Sequence, residues 1–355
     1  MRIAFLADAS LPHTVRWVNF FVAEGHECLL LSLEDGEDYP CTSIRLTSRT
    51  SLPRFLRYSL AIPGARKQLE AFQPDIVNAH FLPNYGWMGA HLPSRPLVLS
   101  VLGSDILQVP KTSPLHAWRT RWVLKQCDAV TSDAHMLSEA VVRFGYSADH
   151  IVTVPLGIEL ERYAATPTRP QPDAEHPFVV LSSRRLDPIY DVGTLMHAWS
   201  HVKTGTKAFE LRIAGKGSEE MQLRTMLPSD AVNFLGWLTM PALDEHLKDA
   251  HVYVSTSLSD STSVSLLEAM AAGCFPIVSD IAGNREWIED GINGLLFPVG
   301  DYHALAVALE KAANDPQLRQ AAQAHNHALV EERASWSQNM REISDLFQTV
   351  AASEP

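Results

Sequence analysis

The chain has 355 residues, 46% hydrophobic and 20% charged, with a formal net charge of −12. That length gives a prior of roughly two domains, and the composition sets aside disordered, collagen-like and coiled-coil proteins. The acidic balance speaks against a nucleic-acid partner, because neutralising phosphates needs basic excess; it is also uneven, with 15 Lys+Arg against 16 Asp+Glu in residues 1–165 and 14 against 25 in residues 166–355.

In chain order, short apolar runs alternate with amphipathic stretches, the pattern of parallel α/β architecture. Strands are expected at Ile3–Ala7, Cys28–Leu33, Ile76–His80, Leu97–Leu102, Ala129–Ser132 and Ile151–Pro155, with helices such as Thr14–Ala23 and His135–Phe144 between them. Tyr163–Pro177 carries four prolines and reads as a linker, since proline continues neither a helix nor an inner strand. The alternation restarts with Phe178–Ser183, Leu211–Gly215, Val232–Leu235, Val252–Ser255, Pro276–Ser279 and Gly294–Pro298, and the tail Tyr302–Ala313, Pro316–Arg333, Trp336–Val350 is helical. Two Rossmann-like domains (1–165 and 166–335) facing across a cleft follow, with a C-terminal helix (336–355) crossing back to the first. Ligands of such sheets bind at the strands' carboxyl ends.

No apolar run approaches the ~18 residues of a spanning helix, and the stretch Met1 to Asp8 is too short and too soon acidic for a signal peptide, so a cytoplasmic protein is expected. The cysteines Cys28, Cys41, Cys127 and Cys274 lack C-x-x-C spacing and fit buried reduced thiols. G-x-x-x-x-G-K-S/T, G-x-S-x-G, H-E-x-x-H and D-x-D are all absent, which removes the usual support for P-loop, hydrolase, zincin and metal–diphosphate chemistry.

One segment stands out. After the strand ending near Ser257, a polar loop leads into a helix from about Thr262, so Ser261, Thr262, Ser263 and Val264 offer backbone N–H groups at a helix N-terminus, a ready anion or hydroxyl site. Asp260 stands beside it. Glu268 is the only acid of an otherwise apolar helix and therefore requires a partner.

This segment resembles the diagnostic region of retaining glycosyltransferases of family 4, which have the GT-B fold: an acid, seven residues, then Glu in an L-E-A-M-A-x-G helix, here Asp260 and Leu267–Gly273. Ser183–Leu186, Ile213–Gly217, Phe234–Trp237, Asp290–Leu296 and Val154–Glu159 match further family stretches, as do Asp75–His80 and Gly103–Asp105 less specifically. The resemblance implies that Glu268 accepts hydrogen bonds from the ribose of a UDP- or GDP-sugar donor, and that Asp260 with the 261–264 amides holds the sugar. Arg185 neutralises the departing diphosphate, and the backbone around Trp237 and Leu238 receives the base beside Gly215, Lys216 and Gly217. Tyr190 stands where the family usually carries a lysine, which shifts the charge onto Arg184 and Arg185 together. Leu102 stands where many relatives carry a histidine; His80 and Asp105 remain as candidates on the first domain's strand ends. Asp260, Arg185, His80 and Asp105 are thus the catalytic candidates, and His13 and Arg16 acceptor-side candidates. No cofactor or metal is implied.

Residues 45–67 carry Arg45, Arg49, Arg54, Arg57, Arg66 and Lys67 without an acid, interleaved with Leu52, Phe55, Leu56, Tyr58 and Leu60, and a second cluster runs over Lys111, Trp118, Arg119, Arg121, Trp122 and Lys125. Such a surface docks on anionic lipid headgroups. The expected activity is metal-independent, anomer-retaining sugar transfer to a glycan or lipid-linked acceptor in polysaccharide or glycoconjugate biosynthesis, at the inner face of the cytoplasmic membrane. Its competitors are a nucleotide-sugar-binding scaffold and another GT-B enzyme, such as a nucleotide-sugar epimerase.

Overall fold

A computed structural model describes residues 1–36, 38–46, 54–93, 96–163, 172, 176–203 and 208–353. Most of the expected linker, residues 164–171 and 173–175, lies outside them, as do residues 47–53 of the basic segment.

The chain divides into two compact units, Met1–Pro155 with Gln338–Pro355, and Leu156–Ser337. The division precedes the proline-rich stretch because Ile158 N–H bonds the Ala334 carbonyl at 2.8 Å while Ile158 accepts from Trp336 N–H at 2.9 Å, tying the segment after Pro155 into the second unit. Within the first unit Phe347, on the Trp336–Ala352 helix, stacks on Phe21 with ring centroids 5.1 Å apart.

The first unit holds a seven-stranded parallel sheet: β1 (Arg2–Leu6), β2 (Glu27–Ser32), β3 (Thr42–Arg45), β4 (Ile76–His80), β5 (Leu97–Val101), β6 (Ala129–Ser132) and β7 (Ile151–Thr153), in the order β3-β2-β1-β4-β5-β6-β7. The second holds six parallel strands, β8 (Phe178–Ser182), β9 (Phe209–Ala214), β10 (Asn233–Gly236), β11 (Val252–Ser255), β12 (Phe275–Ser279) and β13 (Leu295–Phe297), in the order β10-β9-β8-β11-β12-β13. Central strands are buried along their whole length, β4, β5, β8 and β12 among them, because helices cover both faces; such strands read as largely apolar runs, with Asn78 and His80 the polar exceptions in β4. The exposed edge strand β3 is an addition to the six strands expected here.

In the first sheet the chain builds outward from β1 to β3 and then returns to place β4 on β1's other side; in the second it does the same at β8 and β11. The carboxyl ends of β1/β4 and of β8/β11 are therefore the topological switch points, where loops diverge and leave a crevice. Cys28 and Cys274 are buried, whereas Cys41 and Cys127 are only half-buried, and all four are free thiols.

Candidate functional site

Two glycines bring three strand ends together at the second switch point. Gly215 has φ +144°, and a Cβ there would lie 2.2 Å from the Arg184 carbonyl oxygen; a Cβ on Gly217 would meet the Leu186 carbonyl at 2.2 Å. Their missing side chains let Leu186 N–H bond Lys216 O at 3.1 Å and Gly215 N–H bond Gly236 O at 2.7 Å, which stitches the loops after β8, β9 and β10.

The two arginines of the β8 loop have different surroundings. Arg184 has only 9% of its side chain exposed; its Nη1 donates to Ser263 Oγ at 2.6 Å and Ser265 Oγ at 2.7 Å, and its Nη2 to Asp260 Oδ2 at 2.5 Å. Its Cζ lies 4.4 Å from the Tyr190 ring centroid. Burial opposes its charge, yet Asp260 raises its pKa above the ordinary arginine value. Arg185 is 66% exposed, and among the described residues its ion pair is with Asp187, at 2.9 Å. Asp187 also accepts from Ser218 N–H and hydroxyl, and these donors together with Arg185 hold its carboxyl below the usual range.

The helix after β11 is Val264–Ala271, starting two residues beyond the expected point, because Ser263 takes the N-cap role and its hydroxyl accepts from Leu266 N–H. Ser261, Thr262 and Ser263 are buried in the loop before it, and Ser261 N–H bonds Asp260 Oδ1 at 3.1 Å. The loop is fastened to the Tyr190 turn by Thr256 Oγ1 on Tyr190 O and Leu258 N–H on Ile189 O, each at 2.9 Å. Arg184, Tyr190, Asp260 and Ser263 thus form one connected group. Lys216 and Trp237 are exposed and Leu238 is half-buried on the neighbouring strand ends.

Glu268 is 5% exposed, and the partner its burial requires is Arg162, whose Nη1 donates to Oε1 at 3.3 Å. Asp244 grips the same guanidinium. Neither Arg162 nor Asp244 was among the sequence candidates; the demand of a buried acid for a counter-charge was the available signal.

At the first switch point His80 closes β4, 2% exposed. Asn78 donates its amide to Val98 O at 3.2 Å and Ser100 Oγ at 3.0 Å, so its oxygen faces His80 Nε2 at 2.7 Å and must accept from it. His80 Nδ1 is then a bare acceptor, and together with Thr14 Oγ1 and Trp17 Nε1 it is buried with no hydrogen-bond partner among the described residues. The His80 ring lies 4.8 Å from Trp17 and 6.0 Å from His13. Burial lowers His80 to about 3 and His13 to about 4, so both are neutral at pH 7. Arg16, three residues after His13, is half-buried.

Asp105 is fully buried, with its oxygens on backbone: Oδ1 accepts from Leu102 N–H at 3.1 Å and Gly103 N–H at 2.9 Å, Oδ2 from Leu82 N–H at 3.1 Å. Burial raises it to about 6 against those donors. By holding Leu82 it also secures Phe81 at φ 72°, a costly conformation for an aromatic residue directly after His80.

Two Rossmann-like units with polar residues gathered at each sheet's switch point define a GT-B-type protein. The family model for glycosyl transferases group 1 matches residues 166–328, and that for glycosyl transferase 4-like proteins residues 2–134. The chain belongs to the group 1 glycosyltransferases. It is 31% identical over 269 residues to the amylovoran biosynthesis glycosyltransferase AmsK of Erwinia amylovora, covering 70% of this chain and 63% of that protein. To the phosphatidyl-myo-inositol mannosyltransferase of Mycobacterium leprae it is 29% identical over 205 residues, covering 57% of this chain and 54% of that one. The matches thus span between half and two thirds of these relatives' length. Among solved structures, Anabaena Alr3699/HepE in complex with UDP superposes with TM-score 0.78 at 19% identity, over 98% of this chain and 100% of that one. Sucrose-phosphate synthase from Thermosynechococcus elongatus gives 0.83 at 18% identity, over 99% and 100%. These two likenesses concern the fold.

Proposed function

We propose that the protein transfers a sugar, with retention of anomeric configuration and without a metal ion, from a UDP- or GDP-sugar to a glycan or lipid-linked acceptor. The observation that carries this reading is the connected group Arg184, Asp260 and Ser263 at a helix N-terminus on a switch point, with Glu268 on the same helix. HepE, a structural neighbour, is described in complex with UDP and with UDP-glucose, and AmsK belongs to amylovoran biosynthesis; both support a nucleotide-sugar donor and a polysaccharide-type acceptor.

In this reading Glu268 accepts from the ribose hydroxyls and exposed Trp237 lies beside the base. The diphosphate sits at the N-terminus of Val264–Ala271, where the helix dipole and the exposed guanidinium of Arg185 stabilise the charge that grows as the glycosidic bond breaks. Asp260, oriented by Arg184, holds the sugar hydroxyls. The acceptor oxygen forms its bond to the anomeric carbon on the face the diphosphate leaves, and its proton passes to a diphosphate oxygen. On the first unit, His80 Nδ1, bare and neutral, is the acceptor-side hydrogen-bond acceptor, with the His13 ring 6.0 Å away and Arg16 three residues further along the chain from His13.

The same reading includes a peripheral membrane seat. Leu60 on the Arg54–Phe72 helix and Leu115 and Trp118 on Pro114–Leu124 are exposed, as are Lys111, Arg121 and Lys125. The two helices meet through Trp87, which donates to Ser59 Oγ at 3.1 Å and lies 4.2 Å from Arg119 Cζ. The function is tested by incubating purified protein with a panel of nucleotide sugars and assigning product anomers by NMR. Turnover lost in Glu268→Ala and Arg185→Ala supports the transferase; nucleotide-sugar binding without transfer or hydrolysis favours a scaffold, for which the Leu102 and Tyr190 departures speak.

A further inference from the structure

Behind Glu268 stands a charged network that none of the proposed steps uses. Arg162 presents one edge of its guanidinium to Asp244, Nε on Oδ2 at 3.1 Å and Nη2 on Oδ1 at 2.5 Å, and its remaining Nη1 to Glu268 Oε1 at 3.3 Å. Tyr163 Oη adds a hydrogen bond to Asp244 Oδ1 at 2.9 Å, and its ring centroid lies 5.1 Å from Arg162 Cζ. Glu159 approaches the same Nη1 at 3.5 Å. Burial works against the charge of Arg162, but its hydrogen bond to Asp244 and the surrounding negative groups raise its pKa above the ordinary value.

A planar guanidinium held in two-point contact by a carboxylate cannot turn about its own axis, so the direction of the third N–H is fixed. That N–H engages Glu268 Oε1 at 3.3 Å and so restricts the directions its carboxylate can face. A carboxylate has about four acceptor directions, so engagement by Arg162 orients the others instead of exhausting them. Without the guanidinium between them, Asp244 and Glu268 would repel each other.

We infer that Arg162, clamped by Asp244, is a positioning residue that aims Glu268 at the ribose of the donor, so that discrimination between ribonucleotides and deoxyribonucleotides depends on this network as well as on Glu268. The inference rests on Glu268 being the ribose ligand of the proposed function.

The full chain is titrated calorimetrically with UDP, 2′-deoxy-UDP, GDP and 2′-deoxy-GDP. Arg162→Lys keeps the charge but loses the two-point grip; Asp244→Asn leaves Arg162 in place but loosens it. Both avoid the unpaired carboxylates that alanine at 162 would leave, and circular dichroism confirms their folding. For the nucleotide that binds, wild type should prefer the ribo form by about ten- to a hundredfold, the range for a hydrogen bond to a charged group. In both variants affinity for the ribo form should fall while that for the deoxy form holds, bringing the ratio to within a few-fold. A ratio preserved in both variants, or equal losses for both nucleotides, overturns the inference. Glu268→Gln separates the two levels: if it keeps the ribose preference, or if wild type shows none, the reading of Glu268 itself fails.

Discussion

Substituting phenylalanine for His80 should make the first unit less sensitive to acid. In the native unit burial holds His80 at about 3 and His13 at about 4, whereas the ordinary value is 6.5. Between those limits the unfolded chain binds the extra protons, so stability that is present at neutral pH is lost as the pH falls through 6.5. Each histidine contributes about 1.4 kcal/mol per pH unit in that window. Asp105 acts in the opposite sense: its carboxyl is raised from 3.8 to about 6, so below that point the native state takes up its proton first and gains. It offsets most of one histidine, and from these three groups the wild type should lose about 2 kcal/mol between roughly pH 6.5 and 5. In His80→Phe the remaining His13 and Asp105 nearly cancel below pH 6. The stability difference between the two proteins should therefore narrow by about 2 kcal/mol over that range, whatever constant cost, about 1–3 kcal/mol, follows from leaving the Asn78 oxygen without its donor. Hydrogen exchange of the β1 and β4 amides reads this unit separately from the other. Parallel pH profiles for variant and wild type would refute the assignment of His80 as a buried neutral base.

Arg184→Ala should cost about 3–5 kcal/mol of stability in the second unit, because it leaves Asp260 without its buried counter-charge, and should abolish nucleotide-sugar binding; denaturant unfolding and calorimetry measure the two effects. Gly217→Ala should push the Leu186 loop away from β9, costing about 1–3 kcal/mol, with weaker diphosphate binding in the same calorimetric titration. Trp118→Ser with Arg121→Glu should reduce co-sedimentation with phosphatidylglycerol vesicles by at least about tenfold, at about 1 kcal/mol per basic residue near the surface, and leave binding to neutral phosphatidylcholine vesicles unaltered; equal sedimentation with both lipids in wild type would remove the membrane seat.

The strands were legible because parallel strands covered on both faces must be mostly apolar, as Leu97–Val101 and Phe178–Ser182 are, each with a single serine. Thr42–Arg45 escaped for the same reason inverted: an exposed edge strand of four residues has no apolar run to betray it. The Asp260-to-Glu268 motif was legible because its parts lie within one loop and one helix, where spacing alone sets geometry. The partners of those two acids were not. Arg162 is 106 residues from Glu268 and 82 from Asp244 along the chain, and only the return of the chain to β8 and β11 brings them together. Adjacent Arg184 and Arg185 look interchangeable in sequence, yet they differ in burial because the Tyr190 ring and two serines form a seat for one and not the other. An aromatic ring under a guanidinium retains a charge that it cannot itself carry. Tyr190 therefore helps seat Arg184 against the Asp260 loop. Because Arg184 is balanced by Asp260, the cation that the proposed reaction leaves for the diphosphate is the exposed Arg185.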